Sequence, residues 1–318
     1  MDRREFLTVG VVTALLPLTG CSGSDSTGGN PETAQEHLDK AGTALQNAGE
    51  KMKSESEKFT DSDFQDGGVD VKTSAINGYL DTASTELDKA EQDATAEQRR
   101  TIDTAREYVA FVRKLIAFLD TFAEGYSQTY NGYTYFRSER YEDAIAKLDT
   151  AGSTLSDADD LLTVTQSRYE DLNTDVLDEM GQVQAESLAS SLDDMDALVP
   201  AFEAFVEGLR YLSKGMDDFE AGSTSMENDR YGDAEAAFGS ASEEFNAARS
   251  TFKAEEGSAP SEIKSTFIEL TCYSGALRDA ATHLANSMEA YQNGNYDRAK
   301  SEAQTARDAS NRCDFSTS

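Results

Sequence analysis

The chain has only two histidines, His37 and His283, the residue type best suited to general acid–base work, and neither stands in a metal-ligand or base–nucleophile spacing. His37 lies on a polar stretch, and both histidines read as solvated surface groups. Adjacent carboxylates occur at Asp159-Asp160, Asp193-Asp194, Asp217-Asp218, Glu243-Glu244 and Glu255-Glu256. Neighbours on a helix point about 100° apart, so such pairs do not converge on one bond, and they read as acidic surface. Residues 61–70 space carboxylates around Gly67 and Gly68 in a manner that could wrap Ca2+. Against the EF-hand pattern, the glycine comes one place late and Lys72 stands where the closing Glu is needed. A solvated acidic turn is therefore expected there, with no metal. There is no Gly-rich phosphate loop, CxxC pair or nucleophile elbow. These residues predict no catalytic group, no cofactor and no enzyme activity.

The cysteines carry a different message. Cys272 and Cys313 lie 22 and 19 residues on either side of Gly294. An antiparallel hairpin turning there brings the two thiols within about one helical turn. Spacing alone admits either a disulfide or two buried free thiols. The third, Cys21, ends the string Leu18-Thr19-Gly20-Cys21. Before it runs an apolar segment, residues 9–18, about the length of a signal-peptide core and too short to span a bilayer. Before that stand Arg3, Arg4, Phe6 and Leu7.

Paired arginines followed by an aromatic and an apolar core resemble the twin-arginine export signal, and Leu-Thr-Gly-Cys resembles a lipobox. The resemblance implies removal of residues 1–20, a thioether-linked lipid on Cys21, and a chain held at the outer face of the cell membrane. Two long acyl chains suffice for stable anchoring, at about 0.8 kcal/mol per buried methylene. Residues 21–31, rich in Ser and Gly, then form a flexible tether to a folded part at 32–318.

Sixty acidic against 28 basic residues give a net charge of −32. Such a chain cannot replace the counterions of a phosphate backbone, which excludes nonspecific nucleic-acid binding, and it is repelled by anionic lipid. In dilute buffer the charge opposes compaction, whereas at about 1 M salt the Debye length falls to about 3 Å and the repulsion is screened. Abundant Asp and Glu, scarce Lys and absent Trp resemble the proteins of halophilic archaea, which implies a high-salt habitat.

Positioning is left to helices. Apolar residues recur at three- and four-residue steps throughout, no stretch alternates as a strand does, and beyond Pro31 only Pro200 and Pro260 interrupt. The pattern predicts an all-α chain with helices at 32–59, 70–93, 95–138, 141–170, 173–228 with a break near Pro200, 231–256, 260–293 and 296–313. Ile102, Ala105, Val109, Val112, Ile116, Leu119, Phe122 and Tyr126 mark one face of a helix reaching about 65 Å. The expectation is an elongated bundle of antiparallel hairpins.

Three stretches look alike: Tyr141 with Ala144, Leu148 and Ala151; Tyr231 with Ala234, Phe238 and Ala241; Tyr296 with Ala299, Ala303 and Ala306. They resemble the second helix of a tetratricopeptide repeat, and in the first copy Gly132 and Tyr135 match that family's first helix. The resemblance implies hairpins around 126–151, 216–241 and 284–309. The copies stand 90 and 65 residues apart rather than about 34, and no closing proline follows, so a regular solenoid is not expected.

Tyr126, Tyr130, Tyr133 and Tyr135, with Phe136 and Tyr141, form the richest aromatic cluster. Hairpin packing or a ligand groove would both use it. Together these features suggest a non-catalytic, lipid-anchored scaffold that binds a protein partner. The alternative is a solute- or cation-binding lipoprotein serving a transporter.

Overall fold

Alanine and a larger apolar residue alternate at steps of four and three along several stretches. In one they are Ala34, Leu38, Ala41, Leu45, Ala48 and Met52, in another Ala144, Leu148, Ala151, Leu155, Ala158 and Leu162. A third holds Ala234, Phe238, Ala241, Phe245, Ala248 and Phe252, and all eighteen side chains are buried. This heptad rhythm makes a coiled-coil seam, in which small residues let a neighbouring helix approach closely. The computed structural model describes residues 30–61, 71–179 and 185–313, and among them every regular element is a helix. They are α1 (Pro31–Asp61), α2 (Thr73–Asp93), α3 (Ala96–Arg137), α4 (Tyr141–Glu170), α5 (Thr174–Glu179), α6 (Ala185–Glu227), α7 (Tyr231–Glu255), α8 (Ser261–Gln292) and α9 (Tyr296–Ser310). Consecutive helices pack as antiparallel pairs.

The expected break near Pro200 does not occur, because α6 runs unbroken with Pro200 inside it. The proline removes one hydrogen bond, but Pro200 and Asp196, whose carbonyl loses its donor, are both exposed. On an exposed helix face the ring stays clear of the packed seams, which limits the penalty.

The chain forms two compact units. The first contains α1, α2, α5, the start of α3, the end of α4 and the start of α6. There Arg106 ties α3 to Asp88 and Glu91 of α2 at 2.6 Å each. Thr95 and Gln98 form a reciprocal capping box at the start of α3, Thr95 N–H donating to Oε1 at 3.0 Å and Gln98 N–H to Oγ1 at 3.2 Å. Buried Glu55 accepts the backbone N–H of Lys72 at 2.9 Å just before α2, whose own cap residue offers no side chain.

The second unit holds the end of α3, the start of α4, most of α6, and α7 to α9. Its seams are glycine-lined. A Cβ at Gly125 or Gly132 of α3 would come within 2.9 or 2.7 Å of Leu155 or Leu148 of α4. On α6, Gly208, Gly215 and Gly222 lie in the same relation to Phe252, Phe245 and Phe238 of α7. Each large side chain fills the space where a partner Cβ would be, and each buried Phe or Leu contributes roughly 1.5–3 kcal/mol. Gly125, Gly132, Tyr141, Leu148 and Leu155 correspond to Gly215, Gly222, Tyr231, Phe238 and Phe245 at a constant spacing, so α3–α4 and α6–α7 are two copies of one hairpin.

Candidate functional site: a tyrosine corner

The turns of the second unit share one construction. Arg140 N–H donates to Tyr135 O, Arg230 N–H to Ser225 O and Asn295 N–H to Ala290 O, at 3.0, 2.9 and 2.9 Å. These are the long-range bonds of a helix-ending motif that needs one residue in the left-handed region. That residue is Glu139 (φ 59°), Asp229 (φ 57°) and Gly294 (φ 72°) respectively. The three tyrosines marked by the internal resemblance, Tyr141, Tyr231 and Tyr296, are the first residues of the helices that follow.

Their surroundings differ. Tyr141 is buried, and that burial, with acidic neighbours led by Glu139, pushes its hydroxyl up to about 12. Tyr231 packs on Tyr291 with ring centroids 4.3 Å apart, and Tyr291 meets Tyr296 edge-on at 5.2 Å. Residues 291–298 are exposed without interruption, with Tyr291 at 40% and Tyr296 at 63%. The corner is held from beneath by Phe238, Phe219, Ala234 and Met288. It is held at the side by Gln292, whose amide donates to Glu235 of α7 at 2.7 Å. Tyr231 donates its hydroxyl to Asp229 at 2.7 Å, a bond that holds its pKa above the ordinary tyrosine value.

Tyr126, Tyr130, Tyr133 and Tyr135, which hairpin packing or a ligand groove could use, lie on α3. Tyr126 is half-buried against Phe202 of α6 at 5.7 Å, and Tyr130 is half-buried as well. Arg137 lies over Tyr133 at 5.9 Å and Arg140 over Tyr135 at 4.4 Å, so the chain's own guanidinium groups cover these rings. Burial raises the Tyr133 hydroxyl, the nearby Arg137 opposing it. The sequence pattern marks Tyr296 as the start of a repeat but gives no sign of Tyr291, which belongs to no dense aromatic run. Only the α7–α8–α9 packing adds Tyr231 to them.

Both histidines, expected as solvated surface groups, are partly buried, each against a carboxylate. His37 Nδ1 lies 2.6 Å from Glu86 Oε2, linking α1 to α2, and His283 Nδ1 lies 2.7 Å from Glu302 Oε2, linking α8 to α9. The antiparallel register sets a carboxylate of the partner helix opposite each ring. Glu86 is held below the ordinary carboxylate range by hydrogen bonds from Lys89 and His37. An open groove on α1–α2 is bordered by Glu36, Asp39, Lys40, Tyr79 and Glu86, and Lys40 pairs with Glu36 there at 2.7 Å.

Cys272 and Cys313 form a disulfide, with Cα atoms 5.9 Å apart, closing α9 onto α8. Beside it Asp279 receives hydrogen bonds from Arg278 and Arg312. Cys21, Arg3, Arg4, Phe6, Leu7 and the tether up to residue 29 lie outside the described residues, as do residues 62–70 of the acidic turn. Among the described residues no helix is long and apolar enough to cross a membrane. Nor does any group of three or more His, Cys, Asp or Glu among them have an arrangement that could hold a metal.

Compared with family models, curated proteins and solved structures, the chain finds no match. The likeness to tetratricopeptide helices thus rests on the motif residues quoted above.

Proposed function

We propose that the protein is a non-catalytic, exported scaffold, anchored to the outer face of the membrane through a lipid on Cys21, that binds a protein partner at the tyrosine corner of its second unit. The observation that carries the reading is the exposed Tyr291–Tyr296 pair on a braced turn. Tyrosine supplies large, stiff, amphipathic contact area, and the residues that dominate protein interfaces are drawn from this kind. The disulfide agrees with an oxidising, extracytoplasmic location. The export and lipid signals supply the address, and the turn supplies the contact.

Cross-linking on whole cells at native salt tests the reading. A reproducible partner should be captured through a photoreactive residue at position 296 and not through one on the outward face of α2. Recovery of the chain alone at every position refutes it. Cys21→Ser should release the folded protein from membranes, and a variant that still pellets with them refutes the anchor.

A further inference from the structure

The two copies of the hairpin, and the third turn built like them, differ in what covers their tyrosines. At the α3–α4 turn the chain supplies the cover itself: Arg140 stacks over Tyr135 and Arg137 lies over Tyr133. Arg210 over Tyr211 at 5.0 Å repeats the pairing on α6. At the α8–α9 turn, among the described residues, no arginine or lysine lies over Tyr231, Tyr291 or Tyr296. The nearest candidates are engaged elsewhere, Arg230 with Asp233 and Ser225, and Arg298 with Glu289 and Glu302. The two segments forming this corner, residues 227–235 and 289–300, carry the acids Glu227, Asp229, Asp233, Glu235, Glu289 and Asp297 against three bases.

An exposed aromatic face with a negative quadrupole, set in an acidic rim, is complementary to a cation with a flat apolar surface. Among protein side chains that description fits arginine better than lysine, because the guanidinium is planar, weakly hydrated and stacks on rings. Resting on the scaffold reading above, we propose that the Tyr291–Tyr296 corner receives an arginine side chain from a protein partner, completing between two molecules the Arg–Tyr stack that the α3–α4 turn makes within one.

The mature full-length protein, titrated in molar salt with a short tetra-arginine peptide, tests this. The same peptide with citrulline in place of arginine keeps the planar group and removes the charge. The arginine peptide should bind and the citrulline peptide should bind at least tenfold more weakly. Tyr291→Ala with Tyr296→Ala should weaken the arginine peptide by about tenfold. Tyr296→Phe should leave it within about twofold, since the ring face and not the hydroxyl makes the contact. Far-UV circular dichroism and unchanged melting establish that the exposed substitutions leave the fold intact.

Equal binding of arginine and citrulline peptides overturns the proposal, as does undiminished binding by the double alanine variant, which would mean that diffuse acidic charge does the work. Whole-cell cross-linking separates this result from the scaffold reading. A partner captured equally well by wild type and by the double alanine variant keeps a scaffold and overturns the arginine corner. Peptide binding that follows the pattern above, with no partner captured, keeps the corner and overturns the scaffold.

Discussion

Two glycines inside neighbouring helices should respond in opposite directions to the same substitution. Gly239 of α7 has no atom within 4 Å of the position a Cβ would take. Gly239→Ala therefore adds a methyl group without a clash and removes the conformational cost of glycine in a helix, a gain of about 1 kcal/mol. Gly215 of α6 faces Phe245 of α7, with Cε1 2.5 Å from the Cβ position. Carbon atoms in contact sit about 3.5–4.0 Å apart, so ring and helix must separate by an ångström or more. Phe245 is fully buried between Ala241 and Ala248, also fully buried, and has no free side on which to turn. Overpacking of this kind costs roughly 3 kcal/mol at the upper end, against the same helical gain of about 1. The net effect of Gly215→Ala is a loss of about 2 kcal/mol, some 3 kcal/mol from the effect at Gly239. Denaturant unfolding in molar salt reads both, and a cycle with Phe245→Ala locates the cause. Without the ring, Gly215→Ala should turn favourable by about 1 kcal/mol. If Gly215→Ala stabilises the native chain, or if its penalty survives in the Phe245→Ala background, the seam does not depend on glycine making room for phenylalanine.

Glu139, held at φ 59° where Gly294 sits in the corresponding turn, should prefer glycine. Glu139→Gly should raise unfolding stability by about 1 kcal/mol and Gly294→Ala should lower it by a similar amount. Reducing the disulfide, or Cys272→Ser with Cys313→Ser, opens a loop with a sequence separation of 41, worth about 4 kcal/mol by chain entropy. Because α9 buries only Ala299, Ala306 and Ala309, its amides should then exchange before those of α7. The acid limb of stability follows Glu86 and Asp279. Burial raises Asp279, but hydrogen bonds from Arg312 and Arg278 outweigh it, so both carboxyls sit below their ordinary values. Their stabilisation is present above the unfolded-state pKa of about 4 and is lost as pH falls through the lower folded values. Glu86→Gln and Asp279→Asn should each flatten that limb in an acid titration of the melting temperature. Asp218 acts with opposite sign. Burial, with Asp217 and Glu244 beside it, raises its pKa, so Asp218→Asn should increase stability at neutral pH.

Helix type and most helix limits were legible in the sequence, because burying one face of a helix imposes a period that survives in the residue order. Ala34, Leu38 and Ala41 are fully or almost fully buried members of a heptad seam. Their meaning lies in the partner helix that the alanines admit. The Cys272–Cys313 spacing around Gly294 allowed a bridge, and the α8–α9 register brings the Cα atoms to 5.9 Å. Sequence distance limits which groups can meet, but only packing chooses among them. Pro200 shows the reverse. Its chemistry argues for a break, yet α6 runs on through it, with Pro200 on the exposed face.

The sequence by itself determined the all-helical class, the acidic character and the scarcity of histidine, since each is local or compositional. Tertiary structure decided that both histidines face glutamates, that Gly215 and Gly239 differ, and that Tyr231, Tyr291 and Tyr296 share one surface. Those outcomes depend on the register between helices far apart in the chain, and register is fixed by the fit of glycine, alanine and phenylalanine across the seams.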